Sequence, residues 1–303
     1  MRLALIGDIH LFSLRVKARQ LLGKRLLGQG NLWLNRRFRF NHGLLEPLVE
    51  RVAEIEPDMV LLTGDVSTTS LESEFKEVID HLRPVSDHVP VVIVPGNHDR
   101  YTFRSARHKR IETVLEGLMP DKFPHDRHLT DRWRLLALDS ARPQLMMSRG
   151  AIGPKQLMHL RKLAKGLGEE DGLIVLCHYP PDVPPGTPRS WAHDLADAKM
   201  IRRVLAESRG RVVYLHGHVH RPWHWEVEDD HHLGLTCINA GAPCLTSAQY
   251  PFGQGFWEIG LPADPREELK LVHHVPTPEG HYGTRAKKEH HQADARWHAR
   301  RVL

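Results

Sequence analysis

Asp8 and His10, Asp65, Asn97 and His98, His178, and His218 and His220 belong to the few residue types that hold metal ions or carry protons, and each stands where an apolar run stops. Their blocks read GDIH, TGD, PGNHD, CHYPP and HGHVH. Carboxylate, imidazole and amide-oxygen donors without thiolate suit manganese, iron or zinc. Two cations held together need a carboxylate and a water-derived bridge between them, and Asp65 is suited to be that carboxylate. Taken alone, Gly64-Asp65 reads as a turn or a helix N-cap, and His178 as a hydrogen-bonded surface residue. Several such blocks of one chemical make-up, all in the same kind of position, read instead as one metal site.

The elements that must position these residues are short apolar runs: LALI, MVLL, VVIV, LLAL, LIVLC and VVYL, each ending abruptly in polar residues. Continuous rather than alternating apolar character predicts strands buried on both faces. Between them, Leu44, Leu45, Leu48, Val49, Val52 and Ile55 fall at helical spacing, as do Phe75, Val78, Ile79 and Leu82. Strand and helix in alternation predict an α/β architecture. In such sheets the reactive crevice lies beyond the carboxyl ends of the strands, where residues far apart in sequence gather at one edge. The later runs HWEVE, LTCINA and GFWEIG read as further strands.

The blocks, in this order within residues 2–245, resemble the calcineurin-like metallophosphoesterase superfamily, whose blocks read D-x-H, G-D, G-N-H-[DE], H and G-H-x-H. That resemblance implies a four-layer α/β/β/α sandwich of two mixed sheets flanked by helices, with the domain over 1–262 and a polar, basic extension over 263–303. It also implies two divalent cations, manganese foremost, with iron or zinc as alternatives. Asp8, His10, Asp65 and His220 would hold the first; Asn97, His178 and His218, with Asp65 shared, would hold the second. His98 would face the phosphate as the catalytic acid. The implied reaction is hydrolysis of a phosphodiester or pyrophosphate by a hydroxide bridging cations about 3.5–4 Å apart, with an imidazole stabilising the transition state or protonating the leaving oxygen. One subgroup of the superfamily cleaves UDP-2,3-diacylglucosamine. A soluble cyclic-nucleotide phosphodiesterase, a nuclease and a non-catalytic scaffold are the competing readings.

Several positions depart from the family pattern or fall outside it. Many relatives carry an acid three residues after the bridging aspartate to orient the catalytic histidine; here Thr68 stands there, so another group or water must serve. Asp99 is either an acceptor for a ligand histidine or a helix N-cap. Arg100 either reaches a substrate phosphate or is solvated. His216 has no counterpart in the pattern. The proline-rich stretch PPDVPPGTPRSWAHD reads as a rigid cleft wall, with Trp191 or His193 in reach of substrate.

Composition bounds the rest. In 303 residues with 41 % hydrophobic content there is enough apolar material for one large core or two modest ones, and there is no apolar run of membrane-spanning length. Cys177, Cys237 and Cys244 sit in no CxxC or zinc-finger spacing and read as reduced, buried thiols in a cytoplasmic protein. The net charge of +5 is unevenly placed: residues 9–45 contain no acid but carry Arg15, Lys17, Arg19, Lys24, Arg25, Arg36, Arg37 and Arg39, mixed with leucines, Trp33, Phe38 and Phe40. Residues 11–40 thus read as a basic apolar insertion beside the site. An anionic membrane surface fits it, making the protein peripheral on the inner face of the membrane; nucleic acid and a plain cap over the site compete. The histidine-rich C-terminal stretch reads as solvated or loosely docked. Composition leaves the oligomeric state open.

Overall fold

The computed structural model describes residues 1–13, 39–144, 147–188, 190–227, 235–278 and 282–285. In chain order its elements are β1 (Arg2–Ile6), α1 (Leu45–Glu54), β2 (Met59–Leu62), α2 (Glu72–Ser86), β3 (Val91–Ile93), α3 (Phe103–Arg107), α4 (Arg110–Val114), β4 (His125–His128), β5 (Trp133–Ala137), α5 (Gly153–Gly166), β6 (Gly172–Leu176), α6 (Ala198–Leu205), β7 (Arg211–His216), β8 (Trp223–Val227), β9 (Leu235–Asn239), β10 (Phe256–Gly260), β11 (Lys270–Pro276) and β12 (Tyr282–Arg285). They form two six-stranded sheets, ordered β12-β11-β10-β1-β2-β3 and β4-β5-β6-β7-β9-β8. Both are mixed: β1, β2 and β3 run parallel, as do β5, β6, β7 and β9, with antiparallel strands at the margins.

Three apolar clusters separate four layers. Between the sheets lie Leu3, Leu5, Leu61 and Val92 from one side and Leu135, Ile174, Val213 and Ile238 from the other. The alternate residues of β1 and β2, Ala4, Ile6, Val60 and Leu62, face outward onto Leu45, Leu48 and Val52 of α1 and Phe75, Val78 and Leu82 of α2. On the far side, Leu136, Leu173, Val175 and Tyr214 meet Leu160 and Ala164 of α5 and Ile201, Val204 and Leu205 of α6. Each central strand therefore buries both pleat faces, which is why its sequence is apolar without alternation. This is the four-layer arrangement implied by the resemblance. The first sheet runs past residue 262: β11 pairs with β10 and β12 with β11, so residues 270–276 and 282–285 belong to its edge.

Residues 14–38, most of the basic insertion, lie outside the described residues, and so does the C-terminal stretch from 286. The two described stems of the insertion lie together. Leu11 bridges to Ser67 and Phe40 to Leu245, and the rings of Phe12 and His42 are 4.5 Å apart. Among the described residues no helix is long and apolar enough to cross a membrane. Cys177, Cys237 and Cys244 are free and buried.

Candidate metal centre

Each functional side chain follows a parallel strand: Asp8 and His10 after β1, Asp65 after β2, Asn97 and His98 after β3, His178 after β6, and His218 and His220 after β7. The loops are laced together by main-chain bonds. The N–H groups of Asp8, His10 and Leu11 donate to Gly241 O, Asp65 O and Val66 O at 3.0, 2.9 and 3.0 Å. Four of these residues, His10, Asp65, His218 and His220, have φ of 53°, 49°, 69° and 54°. Left-handed backbone at non-glycine residues costs on the order of 1–3 kcal/mol each and persists only where the surroundings enforce it. Its concentration here marks a site whose side-chain directions are held by the fold.

Potential ligand atoms of Asp8, His10, Asp65 and His220 all lie within 4.8 Å of one another, and so do those of Asp65, His178 and His218. Asp65 belongs to both groups. Asn97 Oδ1 lies 3.1 Å from His178 Nε2, beside the second group. The structure thus brings Asp8, His10, Asp65, His178, His218 and His220 into two groups that share Asp65, with Asn97 next to His178.

The donor chemistry fits divalent cations. His178 Nδ1–H donates to Thr63 O at 2.8 Å, which leaves Nε2 as an acceptor nitrogen 3.1 Å from the Asn97 side-chain amide. Burial pushes the pKa of this imidazole down, which favours the neutral form that can bind a cation. Burial also pushes Asp8 up to about 7, against the pull of His178 and the His218 N–H. A positive charge in the cluster would reverse that shift. His218 Nε2–H donates to His193 O at 2.9 Å, and burial holds this imidazole neutral, leaving Nδ1 as its acceptor nitrogen.

His98 stands apart from the two groups. Its backbone N–H donates to Asp65 Oδ1 at 2.7 Å, and its Nδ1–H donates to Thr68 O at 2.8 Å. The orienting group absent from the Thr68 side chain is therefore the Thr68 main-chain carbonyl. Its ring stacks on Tyr101, with centroids 5.6 Å apart at 14°, and meets His10 edge-on at 4.8 Å. His98 and Tyr101 line a cleft of about 630 Å³ together with Asp65, Asn97, His218 and His220. The opposite wall includes Pro180, Pro188 and His193 of the proline-rich stretch, as its composition implied, and Arg142, Gln144 and Ser148, which no sequence signal marked.

The remaining expectations resolve differently. Asp99 is neither an acceptor for a ligand histidine nor a helix cap. Its Oδ1 accepts from the Ser67 N–H and hydroxyl and its Oδ2 from the Gly96 N–H, all at 2.9 Å, clamping the Asp65 loop to the Asn97 loop. Burial and the charge of Asp65 push its carboxyl up to about 6. Arg100 is neither solvated nor in the cleft lining; it bridges Glu112 at 2.8 Å and Asp139 at 2.9 Å. His216, fully buried against Trp223 at 4.8 Å, is held neutral by burial with its pKa down to about 3.

Two glycines are required by close approach. A Cβ at Gly96 would lie 2.1 Å from Asp65 Oδ1, and one at Gly217 would lie 2.1 Å from Asp8 Oδ1. Gly96→Ala is therefore expected to cost about 1–3 kcal/mol of stability, the range for forced overpacking. It should also weaken divalent-metal binding, because the carboxylate displaced is the one common to both groups. Urea denaturation and metal titration of the variant check both effects; unchanged metal affinity would contradict the prediction.

A family model described as calcineurin-like phosphoesterase matches residues 1–222. A probable cyclic nucleotide phosphodiesterase from Vesicomyosocius okutanii is 23 % identical over 205 residues, covering 67 % of this chain and 78 % of that protein. Among solved structures, a dimetal phosphatase from Danio rerio superposes with a TM-score of 0.59 at 15 % identity, covering 90 % of this chain and 98 % of its own. A purple acid phosphatase from yellow lupin (Lupinus luteus) seeds gives 0.58 at 14 % identity, over 93 % of this chain and 52 % of its own.

Proposed function

This chain belongs to the calcineurin-like phosphoesterase family, and within it we propose a two-metal phosphodiesterase, with Asp8, His10, Asp65 and His220 holding one cation and Asp65, Asn97, His178 and His218 the other. The observation that carries this reading is the single Asp65 carboxylate common to two converging ligand sets at the floor of an open cleft. Divalent cations there, manganese foremost with iron or zinc as alternatives, supply Lewis acidity: they lower the pKa of water and offset charge on phosphate oxygens.

The chain's own groups do the rest. Asp8 and Asp65 provide negative charge, while the neutral imidazoles bind without adding any. The Asp99 clamp keeps the Asp65 and Asn97 loops in register. Thr68 O holds His98 Nδ1–H, so Nε2 is the nitrogen available to a leaving oxygen, and Tyr101 supports one face of the ring. In the imidazolium form His98 carries a second proton on Nε2; passing it to the leaving oxygen returns the ring to the Nδ1–H imidazole, a general-acid contribution worth about 10²–10⁴ in rate. His98→Ala is accordingly expected to lower kcat on bis-p-nitrophenyl phosphate with manganese by that factor while metal content stays the same. A loss below tenfold would remove His98 from the role.

The phosphodiester preference is supported by the kinship with the probable cyclic nucleotide phosphodiesterase. Cyclic AMP and UDP-2,3-diacylglucosamine in detergent separate a soluble diester from a membrane-borne pyrophosphate. The latter is expected to release UMP only if the insertion over 11–40 serves a lipid surface. An inactive wild type with manganese, iron and zinc each supplied would leave the scaffold reading in place of the enzyme.

A further inference from the structure

Trp191 is a large aromatic side chain at the cleft margin that the packing leaves uncovered: it is 63 % exposed, between Ser190 and His193, which line the cleft. It is nevertheless held. The Arg149 guanidinium lies 4.6 Å over its ring and occupies one face. The short 3₁₀ turn Trp191–His193 is tied to the neighbouring segment by bonds from Ser148 N–H to Ala192 O at 3.0 Å and from Gly150 N–H to Asp194 O at 3.2 Å. A contact between Ser148 Oγ and His193 Nδ1 adds to them. The same turn offers His193 O to the ligand histidine His218.

A ring held on one face by Arg149, exposed elsewhere, and flanked in sequence by the cleft-lining Ser190 and His193, though not itself in the lining, offers a stacking surface at the cleft margin. Packing against Arg149 alone needs only one face and places no demand on the other. The partner that matches an open indole face is a flat, π-rich ring, and nucleotides are phosphoester compounds whose bases stack on aromatic side chains in this way. We propose that Trp191 is a specificity-determining residue whose open face stacks the base of a nucleotide-bearing substrate. The proposal rests on the phosphoesterase reading, and it deepens that reading by naming the substrate class. Stacking tolerates any base because every base has a π-face. Purine and pyrimidine nucleotides should therefore both profit from it.

Calorimetric titration of the manganese-loaded protein with AMP, UMP and inorganic phosphate isolates the stacking contribution, because all three place a phosphate at the cluster and only two bring a base. In the wild type both nucleotides are expected to bind about tenfold more tightly than phosphate, the order a base–aromatic stack gives. Trp191→Ala should bring AMP and UMP down to the level of phosphate, with phosphate itself unmoved, and Trp191→Phe should keep most of the advantage. Nucleotides no tighter than phosphate in the wild type, or an AMP-to-phosphate ratio unchanged in Trp191→Ala, would overturn the proposal. An equal loss for AMP and phosphate leaves that ratio unchanged and also counts against it. Turnover of bis-p-nitrophenyl phosphate by the same wild-type preparation, measured alongside, reports separately on the phosphoesterase reading.

Discussion

Asp65→Ala is expected to lower kcat on bis-p-nitrophenyl phosphate by about 10³–10⁴, the rate equivalent of the several kcal/mol that metal-borne charge stabilisation supplies. The size follows from the position. The carboxylate is in both ligand sets, so its removal weakens each instead of one. It also accepts the His98 N–H at 2.7 Å, so the acid-bearing turn loses a tether at the same time. Elemental analysis of the purified variant should find fewer than two cations per chain. A variant that kept both cations and wild-type turnover would dismantle the two-metal account at its centre. Asp65→Asn is the companion measurement: it keeps an acceptor for His98 but halves the bridging capacity, so it separates loss of the bridge from loss of the tether.

The candidate ligand set was legible in the sequence because residue type and position carried it jointly. Asp, His and Asn at the ends of apolar runs are informative together, since strand ends in α/β sheets meet in space. The groups that hold those ligands in place left much fainter traces. Thr63 O, Thr68 O and His193 O fix the tautomers of His178, His98 and His218, yet a main-chain carbonyl is present at every position and identifies none. Asp99 was visible as a residue, but its task depends on which N–H groups a fold brings to it, and these came from Ser67 and Gly96 rather than from a histidine or a helix. Arg100 followed the same logic, because Glu112 and Asp139, its partners, lie on segments whose nearness no spacing announces. The central strands were within reach of the apolar runs, whereas the division into two sheets came only from the family resemblance. By contrast β4, reading HDRH, is polar and half-exposed and offered no period to detect.

Metal removal is the second large effect, and the part of its pH dependence that Asp8 contributes has a definite sign. Asp8 has a folded pKa of about 7 against an ordinary value of 3.8. Below the lower value both folded and unfolded chains carry the proton and the group is neutral to stability. Between the two the unfolded chain has released a proton that the folded chain still binds, so stability falls as pH rises, and above about 7 the full cost is present. Asp99, raised to about 6 for the same reason of burial, acts in the same direction. Against this, burial pushes the pKa values of His178, His216 and His218 down, which favours the folded chain as pH rises toward 6.5. The Asp8 loss, on the order of a few kcal/mol between pH 5 and pH 8, is therefore read as the difference between chelated wild type and chelated Asp8→Asn. Saturating manganese should offset that loss, each site adding about 2.7 kcal/mol at a hundredfold excess over Kd. Asp8→Asn should remove this falling component from the pH profile of the chelated form and blunt its response to metal. Melting curves of both proteins at these pH values, with EDTA and with manganese, make the comparison. An equally steep profile in Asp8→Asn would mean that the cost of burying Asp8 is met elsewhere.

The stems of the basic insertion have a bearing on how such a protein can change. Phe12 touches His42, Leu11 is stitched to Ser67 and Phe40 to Leu245, and the Phe40 ring also lies 5.1 Å from His10. Whatever residues 14–38 do, the chain departs and returns through one doorway, and the threshold on both sides is already fastened to the framework. Closing a longer excursion between fixed posts costs only about 0.6 kcal/mol for each doubling of its length. A change in the length of that excursion would therefore cost little while β1, α1 and the candidate ligands beside them stay where they are.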